Sequence, residues 1–540
     1  MVDVPAVVAE AAGLPGVVHA GESLYACSQD SQAALKELIR EKGLNRVVIA
    51  SCSVRTHKPL FQETVREAGL NRHLLEMANI RDQCSWVHRN EPEKATAKAV
   101  DLVRAAVAKA ARLYPVREVK VGVTPAALVV GGGLSGLTAA LDLARQGYRV
   151  ELVEKSPVLG GSVRRLRWGY DGEDVPAYLR ELIDRVAGHP LIKVRTGCTV
   201  EDVEGYPGNF ASRLSGGEKI RYGAAVLAVG GEEYRPREYL YGEDGRVLTQ
   251  LELEEALAAG DPRLEGVREF VFIQCVGSRE EGRQYCIRVC CARTVRQALE
   301  IKKRDPGANI CVFYREMRTY GLLEDLYREA RARGIVFIRY ELERKPVVEK
   351  PAAGEARLRV TGRDPVLGEE ITVPAGLVVL APAILPPADN RKLSRLFKVP
   401  LNADGFFLEA HMKLRPVDFP AEGVYLCGLC HSPKNMTESI IQAKAAAARA
   451  AVILSRDRLE VKGVTARIDA GRCRACLTCV RLCPFNAPRI EPGANTARIE
   501  AVLCQGCGTC AGECPNKAIE LQGYTDDQQM SAVRGLFGKA

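Results

Sequence analysis

Apolar residues in this chain gather in short runs, separated by stretches with the 3.6-residue period of helices, and that alternation predicts an α/β protein. An apolar run at 17–20 predicts a strand, 31–42 a helix, and Val47-Val48-Ile49-Ala50, in the run 46–50, a second strand. Helices are predicted at 59–68 and 92–113; Tyr114-Pro115 ends the latter, and 116–125 reads as a linker. The apolar run 126–130 predicts a buried strand that leads into an Ala/Leu-rich helix, and 149–153 a second strand. Later strands are expected at 224–230, 268–274 and 423–428, followed by an Ala-rich helix over 435–454. The pattern divides the chain into an α/β domain (1–118), a Rossmann-type domain in two parts (124–264 and 376–456), and a second dinucleotide-like domain inserted between them (265–375). A Cys-rich α+β domain (457–525), entered by a charged linker at 457–462, and a polar, then basic, tail (526–540) follow.

Composition narrows the class. Hydrophobic residues make up 47% and charged residues 26% of the 540, as in water-soluble globular proteins. No run of 18 apolar residues offers a transmembrane helix, and residues 1–12 lack the charged start and cleavage site of a secretory signal. Nineteen cysteines without an export signal argue for metal ligation in a reducing cytoplasm, not for disulfides. The net charge of +9 comes with only 6% aromatics and no basic run interleaved with them, which favours flavin phosphates or an acidic partner over nucleic acid.

The chemistry is densest near the C-terminus. Cys473-x2-Cys476-x2-Cys479-x3-Cys483-Pro484 recurs as Cys504-x2-Cys507-x2-Cys510-x3-Cys514-Pro515. Two such runs are the pattern of a bacterial 2[4Fe–4S] ferredoxin, in which the fourth cysteine of each run serves the other cluster. Cys473, Cys476, Cys479 and Cys514 are therefore expected to hold one cluster, and Cys504, Cys507, Cys510 and Cys483 the other. Zinc knuckles or disulfides would not need a third cysteine at x2 and a fourth at x3 before proline.

Between the strand 126–130 and its helix stands Gly131-x-Gly133-x-x-Gly136, and the second strand ends at Glu154. Strand, glycine loop, helix and terminal acid together are the dinucleotide fingerprint. Gly131 permits the turn, Gly133 lets the backbone approach a pyrophosphate at the helix start with Leu134, Ser135 and Gly136, and Glu154 suits ribose hydroxyls. Lys155 and Gly160-Gly161 are expected as a second phosphate and isoalloxazine approach, and Val200 and Gly230 complete the cofactor set. The ligand is read as FAD, because 224–230 and 423–454 resemble the returning strand and the last strand and helix of two-dinucleotide flavoproteins. Gly428, Lys434, Glu438 and Gln442 then lie near the ring, Lys434 and Glu438 as its tuning residues, while Leu429 stands where such proteins usually carry an acid.

A nicotinamide site in the inserted domain would need a second glycine fingerprint after the strand 268–274. In its place stand Cys275, Cys286, Cys290 and Cys291, four thiols at a helix start, expected to hold a third [4Fe–4S] cluster. A zinc site or free thiols are the plain alternative. Near the N-terminus, Cys27, Cys52 and Cys84 each precede a serine, with Cys52 at the end of the strand 46–50. Three loop cysteines suit a further cubane whose fourth ligand comes from elsewhere in the chain or from a partner; three unrelated buried thiols is the other reading. Cys198 and Cys311 read as core residues, and Cys427-x2-Cys430 as packing beside the flavin or, less simply, a redox pair.

The motifs Ala26-Cys27-Ser28, Ala50-Ser51-Cys52-Ser53, 74–88 ending in Cys84-Ser85-Trp86-Val87-His88, Ile273-Gln274-Cys275-Val276-Gly277-Ser278-Arg279, 285–291 and 427–442 resemble, over nearly the whole chain, the A-subunit family of heterodisulfide reductase. The resemblance implies a thioredoxin-reductase-like flavoprotein carrying cluster domains, an oxidoreductase of sulfur chemistry whose FAD is the proposed site of electron bifurcation. It also implies a homodimer within a larger complex. The implied partners are B- and C-like subunits, a small iron–sulfur protein like the delta subunit of hydrogenase, hydrogenase or formate dehydrogenase, and ferredoxin. Two features depart from the family. Residues 162–222 hold only Cys198, so the extra ferredoxin of methanogen members is absent, and the chain starts after their C-x-C-G strand. A confurcating or relay role, or one beside benzoyl-CoA reductase, gains ground accordingly. An NAD(P)H-dependent oxidoreductase like the small subunit of glutamate synthase, and a non-bifurcating relay scaffold, are the alternatives.

Overall fold

The computed structural model describes residues 1–116, 120–351, 356–460 and 463–538. They form two compact units, one from residues 122–459 and the other from both chain ends, 1–121 and 460–540.

The central unit is built from two lobes on one plan. In the first, parallel strands run in the order Val424–Leu426, Ala224–Leu227, Ala126–Val130, Arg149–Val153, Ile192–Arg195. Ala126–Val130 is buried along its length because both faces are covered, the reason parallel strands read as unbroken apolar runs. Helices Leu134–Arg145 and Met436–Leu454 pack on one face through Leu137, Ala140, Ala443 and Ala447, and alanine lets them approach closely. The antiparallel strands Val200–Tyr206, Asn209–Leu214 and Lys219–Tyr222 cover the other face.

The second lobe repeats this with Val247–Thr249, Leu377–Pro382, Glu269–Val276, Asn309–Tyr314 and Val336–Arg339, all parallel. Helix Cys290–Arg304 lies on one face and the antiparallel strands Val347–Glu349, Leu358–Arg363 and Glu370–Ala375 on the other. The second sheet therefore takes strands from outside the expected 265–375. Val247–Thr249 is too short for its periodicity to register, and Leu377–Pro382 looks in sequence like a return to the first domain. Glu232–Glu233 and Ile384–Leu385 pair antiparallel where the chain passes between the lobes.

The terminal unit has two parallel strands, Val47–Ser51 and Leu75–Asn79, among helices Val4–Ala12, Gln29–Glu41, Val54–Glu67 and Pro92–Ala110. The strand expected at 17–20 is not formed: the segment has no partner strand, and Val18 is exposed. The helix expected from residue 59 starts at Val54 and holds Pro59 inside, a position proline tolerates poorly. At the other end, Ala466–Ile468 pairs with Ile519–Leu521 and Pro488–Glu491 with Thr496–Ile499, and short helices Thr478–Leu482 and Thr509–Gly512 follow the cysteine loops.

The tail, which had no expected role, forms helix Asp526–Leu536, started by a reciprocal cap between Thr525 and Gln528. It packs on Pro92–Ala110 through small or polar residues, Gln528, Ser531 and Gly535, while Met530, Val533 and Leu536 face outward. Gln528 Nε2 donates to Arg112 O (3.1 Å), and the Lys109 ammonium sits 4.4 Å from the Tyr524 ring while paired with buried Glu76 at 3.0 Å. A Cβ at Gly535 would meet Ala108 Cβ at 2.8 Å and Arg104 O at 2.9 Å. Gly535→Val should therefore destabilise the terminal unit by about 1–3 kcal/mol, read as a lower unfolding midpoint and faster proteolysis of the tail. Met530→Ala, on the exposed side, should change stability by no more than about 0.5 kcal/mol.

Candidate functional site

The glycine loop shows three separate reasons for glycine. Gly131 has φ +108°, and a Cβ there would lie 2.3 Å from Ala228 O. At Gly136 a Cβ would lie 1.7 Å from Gly131 O, so only glycine lets the helix sit against the strand. Gly133 is different: its conformation suits any residue and a Cβ would meet nothing closer than 3.9 Å. The open space before Gly133, at the start of helix Leu134–Arg145, is where a phosphate fits.

Glu154, at the end of strand Arg149–Val153, accepts from Gly132 N (2.5 Å) and Ser156 N (2.7 Å), which fixes its carboxylate beside that loop. Gly160 N donates to Gly132 O (2.8 Å), bringing Gly160-Gly161 onto the same loop. Two expected cofactor residues are placed otherwise. Lys155 is half exposed and ion-paired with Asp389 at 2.9 Å. Val200's side chain is in the core with Val130 and Val153, so only its backbone could face a ligand. Gly230, at φ +79°, has open space around it.

The last strand and helix converge on the same point. Gly428 also has φ +79°, and a Cβ there would strike Ser135 Oγ at 2.3 Å. Its N–H donates to Gln442 Oε1 (2.9 Å), and its carbonyl accepts from Lys434 Nζ (2.7 Å), which also donates to Ser432 O (2.6 Å). Burial pushes the Lys434 ammonium down to about 8, against the pull of the neighbouring thiols. Sequence reasoning missed His431 and Glu409: Gln442 Nε2 meets His431 Nδ1 at 2.8 Å, and His431 Nε2 meets Glu409 Oε2 at 3.0 Å. Burial, then Lys434, holds His431 below its ordinary value. Cys427 and Cys430 are buried free thiols, and Cys430 donates to the carbonyls of Leu227 and Cys427, the packing arrangement.

Glu438 does two jobs. Oε2 accepts from Asn435 N (3.1 Å) to complete the cap of helix Met436–Leu454, while Oε1 accepts from Arg288 Nη2 (2.6 Å) and Tyr320 OH (2.9 Å). Arg288 belongs to the four-cysteine segment, and its N–H donates to Cys286 Sγ at 3.3 Å.

That segment is built under strain. Strand Glu269–Val276 loses register between Ile273 and Val276, and Cys275 within the irregularity has φ +60°. Arg279 (φ +59°) and Arg288 (φ +63°) are left-handed too. Non-glycine residues in this region cost about 1–3 kcal/mol each and cluster at functional sites. Cys290 and Cys291 open helix Cys290–Arg304. Cys275, Cys286, Cys290 and Cys291 come close enough to perturb one another's ionisation. Cys290's hydrogen bond, aided by Arg318 and Arg279, brings Cys291 down to about 7, and Cys290 is raised by the same bond and by burial. Such a donor set fits a thiolate-ligated cluster.

The eight C-terminal cysteines show the pseudo-twofold order of their 31-residue offset. Sulfurs of Cys473, Cys483, Cys504 and Cys514 accept from the backbone N–H of Ala497, Ala487, Ala466 and Ala518 at 3.3–3.5 Å. Cys476 and Cys507 meet the hydroxyls of Thr478 and Thr509. Cys473, Cys476, Cys479 and Cys514 line one cavity of about 350 Å³, its open mouth included. Cys510 is raised to about 11 by burial, then by Cys504, Cys483 and Cys507, its expected companions.

Near the N-terminus, Cys52 and Cys84 follow the C-terminal ends of the paired strands Val47–Ser51 and Leu75–Asn79, and Arg81 donates to Cys52 Sγ at 3.7 Å. Cys84 is buried and Cys27 exposed. Ser51 Oγ and His57 Nδ1 are buried without a hydrogen-bond partner. Among the described residues, no three His, Cys, Asp or Glu side chains converge on a single-ion position.

Two segments of the chain match known family models. Residues 129–177 match the model of an NAD(P)-binding Rossmann-like domain and 472–519 that of a 4Fe-4S dicluster domain. The A-subunit of the H(2):CoB-CoM heterodisulfide,ferredoxin reductase of Methanothermobacter thermautotrophicus is 34% identical, over 91% of this chain and 89% of that protein. The chain belongs to the heterodisulfide reductase A-subunit family. Another relative, the first of two iron-sulfur A-subunits of the CoB--CoM heterodisulfide reductase of Methanopyrus kandleri, is 34% identical over 100% of this chain and 96% of its own. Among solved structures, a T. acidophilum thioredoxin reductase overlays 60% of this chain and 96% of its own at 16% identity and TM-score 0.42. As a member of the heterodisulfide reductase family, the protein is an oxidoreductase component that uses FAD and [4Fe–4S] clusters. No described helix is long and apolar enough to cross a membrane.

The two glycines separate fold from ligand. Gly131→Ala should misplace the first strand and reduce folded yield. Gly133→Ala should purify folded with full iron but with a lower flavin-to-protein ratio, read by absorbance after acid release.

Proposed function

We propose that this protein divides electron pairs at its flavin, passing electrons singly to or from clusters, as the flavin-bifurcating or confurcating centre of a heterodisulfide-reductase-type complex. The observation that carries this is Glu438, whose carboxylate caps the helix facing the flavin site and binds Arg288 of the four-cysteine segment. A one-electron carrier held there is fastened to the flavin helix. Bound FAD supplies the ability to exchange either one or two electrons, and each cluster exchanges one.

The protein's own residues then act as follows. The backbone of 131–136 holds the pyrophosphate, and Gly428 and Ser135 close the site beneath the ring. Lys434 holds a proton at Nζ below a pH of about 8 and loses it above, so the positive charge beside the flavin depends on pH. Eight C-terminal cysteines hold two clusters, and Cys275, Cys286, Cys290 and Cys291 a third. A fourth, at Cys27, Cys52 and Cys84, draws support from the orphaned Ser51 Oγ and His57 Nδ1. Partners follow from the relatives' names. One relative, from Methanococcus maripaludis, is named for an H(2)/formate:CoB-CoM heterodisulfide,ferredoxin reductase. The proposed partners here are accordingly ferredoxin, a disulfide-reducing B- and C-like pair, and a hydrogenase or formate dehydrogenase linked by a small iron–sulfur protein. The chain then works as a dimer in the cytoplasm.

Iron analysis after anaerobic reconstitution should give about 12 Fe per chain for three clusters and about 16 with the N-terminal site filled, at four irons per cubane. Lys434→Ala should keep FAD and lower the flavin midpoint potential below pH 8, with the difference from wild type shrinking as pH rises through that value. Equal potentials across the pH range would remove Lys434 from this role. Rapid flavin bleaching by NADPH in the isolated protein would favour a nicotinamide-dependent reductase instead.

A further inference from the structure

The geometry points to Arg279, backed by Arg315 and Arg318, as the donor and charge that make the cluster at Cys275, Cys286, Cys290 and Cys291 more easily reduced than either cluster of the ferredoxin domain. This rests on the assignment of that cluster.

Arg279 is held at some cost. Its backbone is left-handed, its N–H donates to Tyr285 O (3.2 Å), and Arg315 Nη1 donates to its carbonyl. The side chain is 15% exposed, and Nη2 pairs with Glu316 Oε2 at 3.1 Å. Nη1 is buried with no hydrogen-bond partner. A buried guanidinium N–H without an acceptor is unfavourable, and such orphans in native folds mark a missing partner, often an ion or cofactor. The charge of Arg279 bears on both Cys275 and Cys291, with Arg315 adding at the first and Arg318 at the second. Cluster sulfurs are strong acceptors for a donor so placed. Glu316, half exposed, faces Arg279 and Arg318, and Glu438 faces Arg288, so the arginines outnumber the carboxylates.

The ferredoxin cysteines are surrounded differently. Their sulfurs accept from neutral backbone amides and face neutral hydroxyls. At Cys479 and Cys510, the charged groups that bear on them are other cysteines. Adding an electron makes any such cluster more negative by one unit. A buried cation stabilises that change more than an amide dipole does, and charge and hydrogen bonding to sulfur are what set cluster potentials. The flavin-side cluster is thus the high-potential carrier, and the ferredoxin pair the low-potential one.

The test is an EPR-monitored redox titration of the full chain, reconstituted with FAD and clusters. Wild type should show one cluster, lost on Cys290→Ala, reduced at a more positive potential than the ferredoxin pair. Arg279→Gln should move that signal alone, raising its oxidised-to-reduced ratio at the wild-type midpoint at least tenfold, 59 mV for one electron, and Arg279→Lys should recover part of the shift. Where Arg279→Gln does not retain the cluster, Arg318→Gln should give a smaller shift in the same direction. Unmoved midpoints in whichever variant holds the cluster, or an equal shift of every signal, overturn the proposal. Cys290→Ala separates the underlying assignment: iron content unchanged by it means that no cluster is held there, whatever the arginine variants show.

Discussion

One carboxylate ties the two lobes of the central unit together. Glu438 completes the cap of the long alanine helix and accepts from Arg288, two residues beyond Cys286. A helix cap is normally worth about 1 kcal/mol and serves only its own helix. Here the second oxygen carries the order of the flavin-facing helix into the cysteine segment of the other lobe. The pair is partly exposed, so it contributes at most about 1 kcal/mol, and its role is to fix where the two segments meet.

The ferredoxin repeat and the four-cysteine segment bring their thiols together in different ways. The ferredoxin repeats one loop with a fixed offset, so Ala475, Leu477 and Asn486 take the same left-handed turns as Gly506, Gly508 and Lys517. Its sulfurs are met by the backbone, which any sequence supplies. The Cys275 site has no such repeat. It bends a strand out of register, holds three non-glycine residues left-handed and brings in arginine side chains. A general scaffold suffices in one case, and particular residues are needed in the other.

Much of this was legible in the sequence, for a physical reason. Ala126–Val130 appears where its apolar run ends, because a strand buried on both faces must be apolar throughout, while Arg149–Val153 alternates exposed Arg149 and half-buried Glu151 with buried Val150 and Leu152. The cysteine spacings and the glycine loop are local constraints, visible without the fold. Contacts between distant segments were not legible. Glu409 meets His431, and His431 meets Gln442, through a loop whose path has no local signal, and Val247–Thr249 is too short to be read as a strand. The tail helix defeated periodicity because its contact face is glycine, serine and glutamine, while its apolar residues point outward. Arg279 lay within a recognised motif, but its orphaned N–H exists only in three dimensions.

The packing of helix Asp526–Leu536 on Pro92–Ala110 has a consequence for biosynthesis. Residues 92–110 leave the ribosome about 415 residues before the helix that covers them, roughly 20–80 s of translation at 5–20 residues per second. The flavoprotein body is complete in the meantime and can fold as a unit. The nascent N-terminal domain waits with the face of its long helix uncovered, and the terminal unit closes only once residue 536 has emerged. A chain ending before residue 526 therefore leaves one face of helix Pro92–Ala110 open to water.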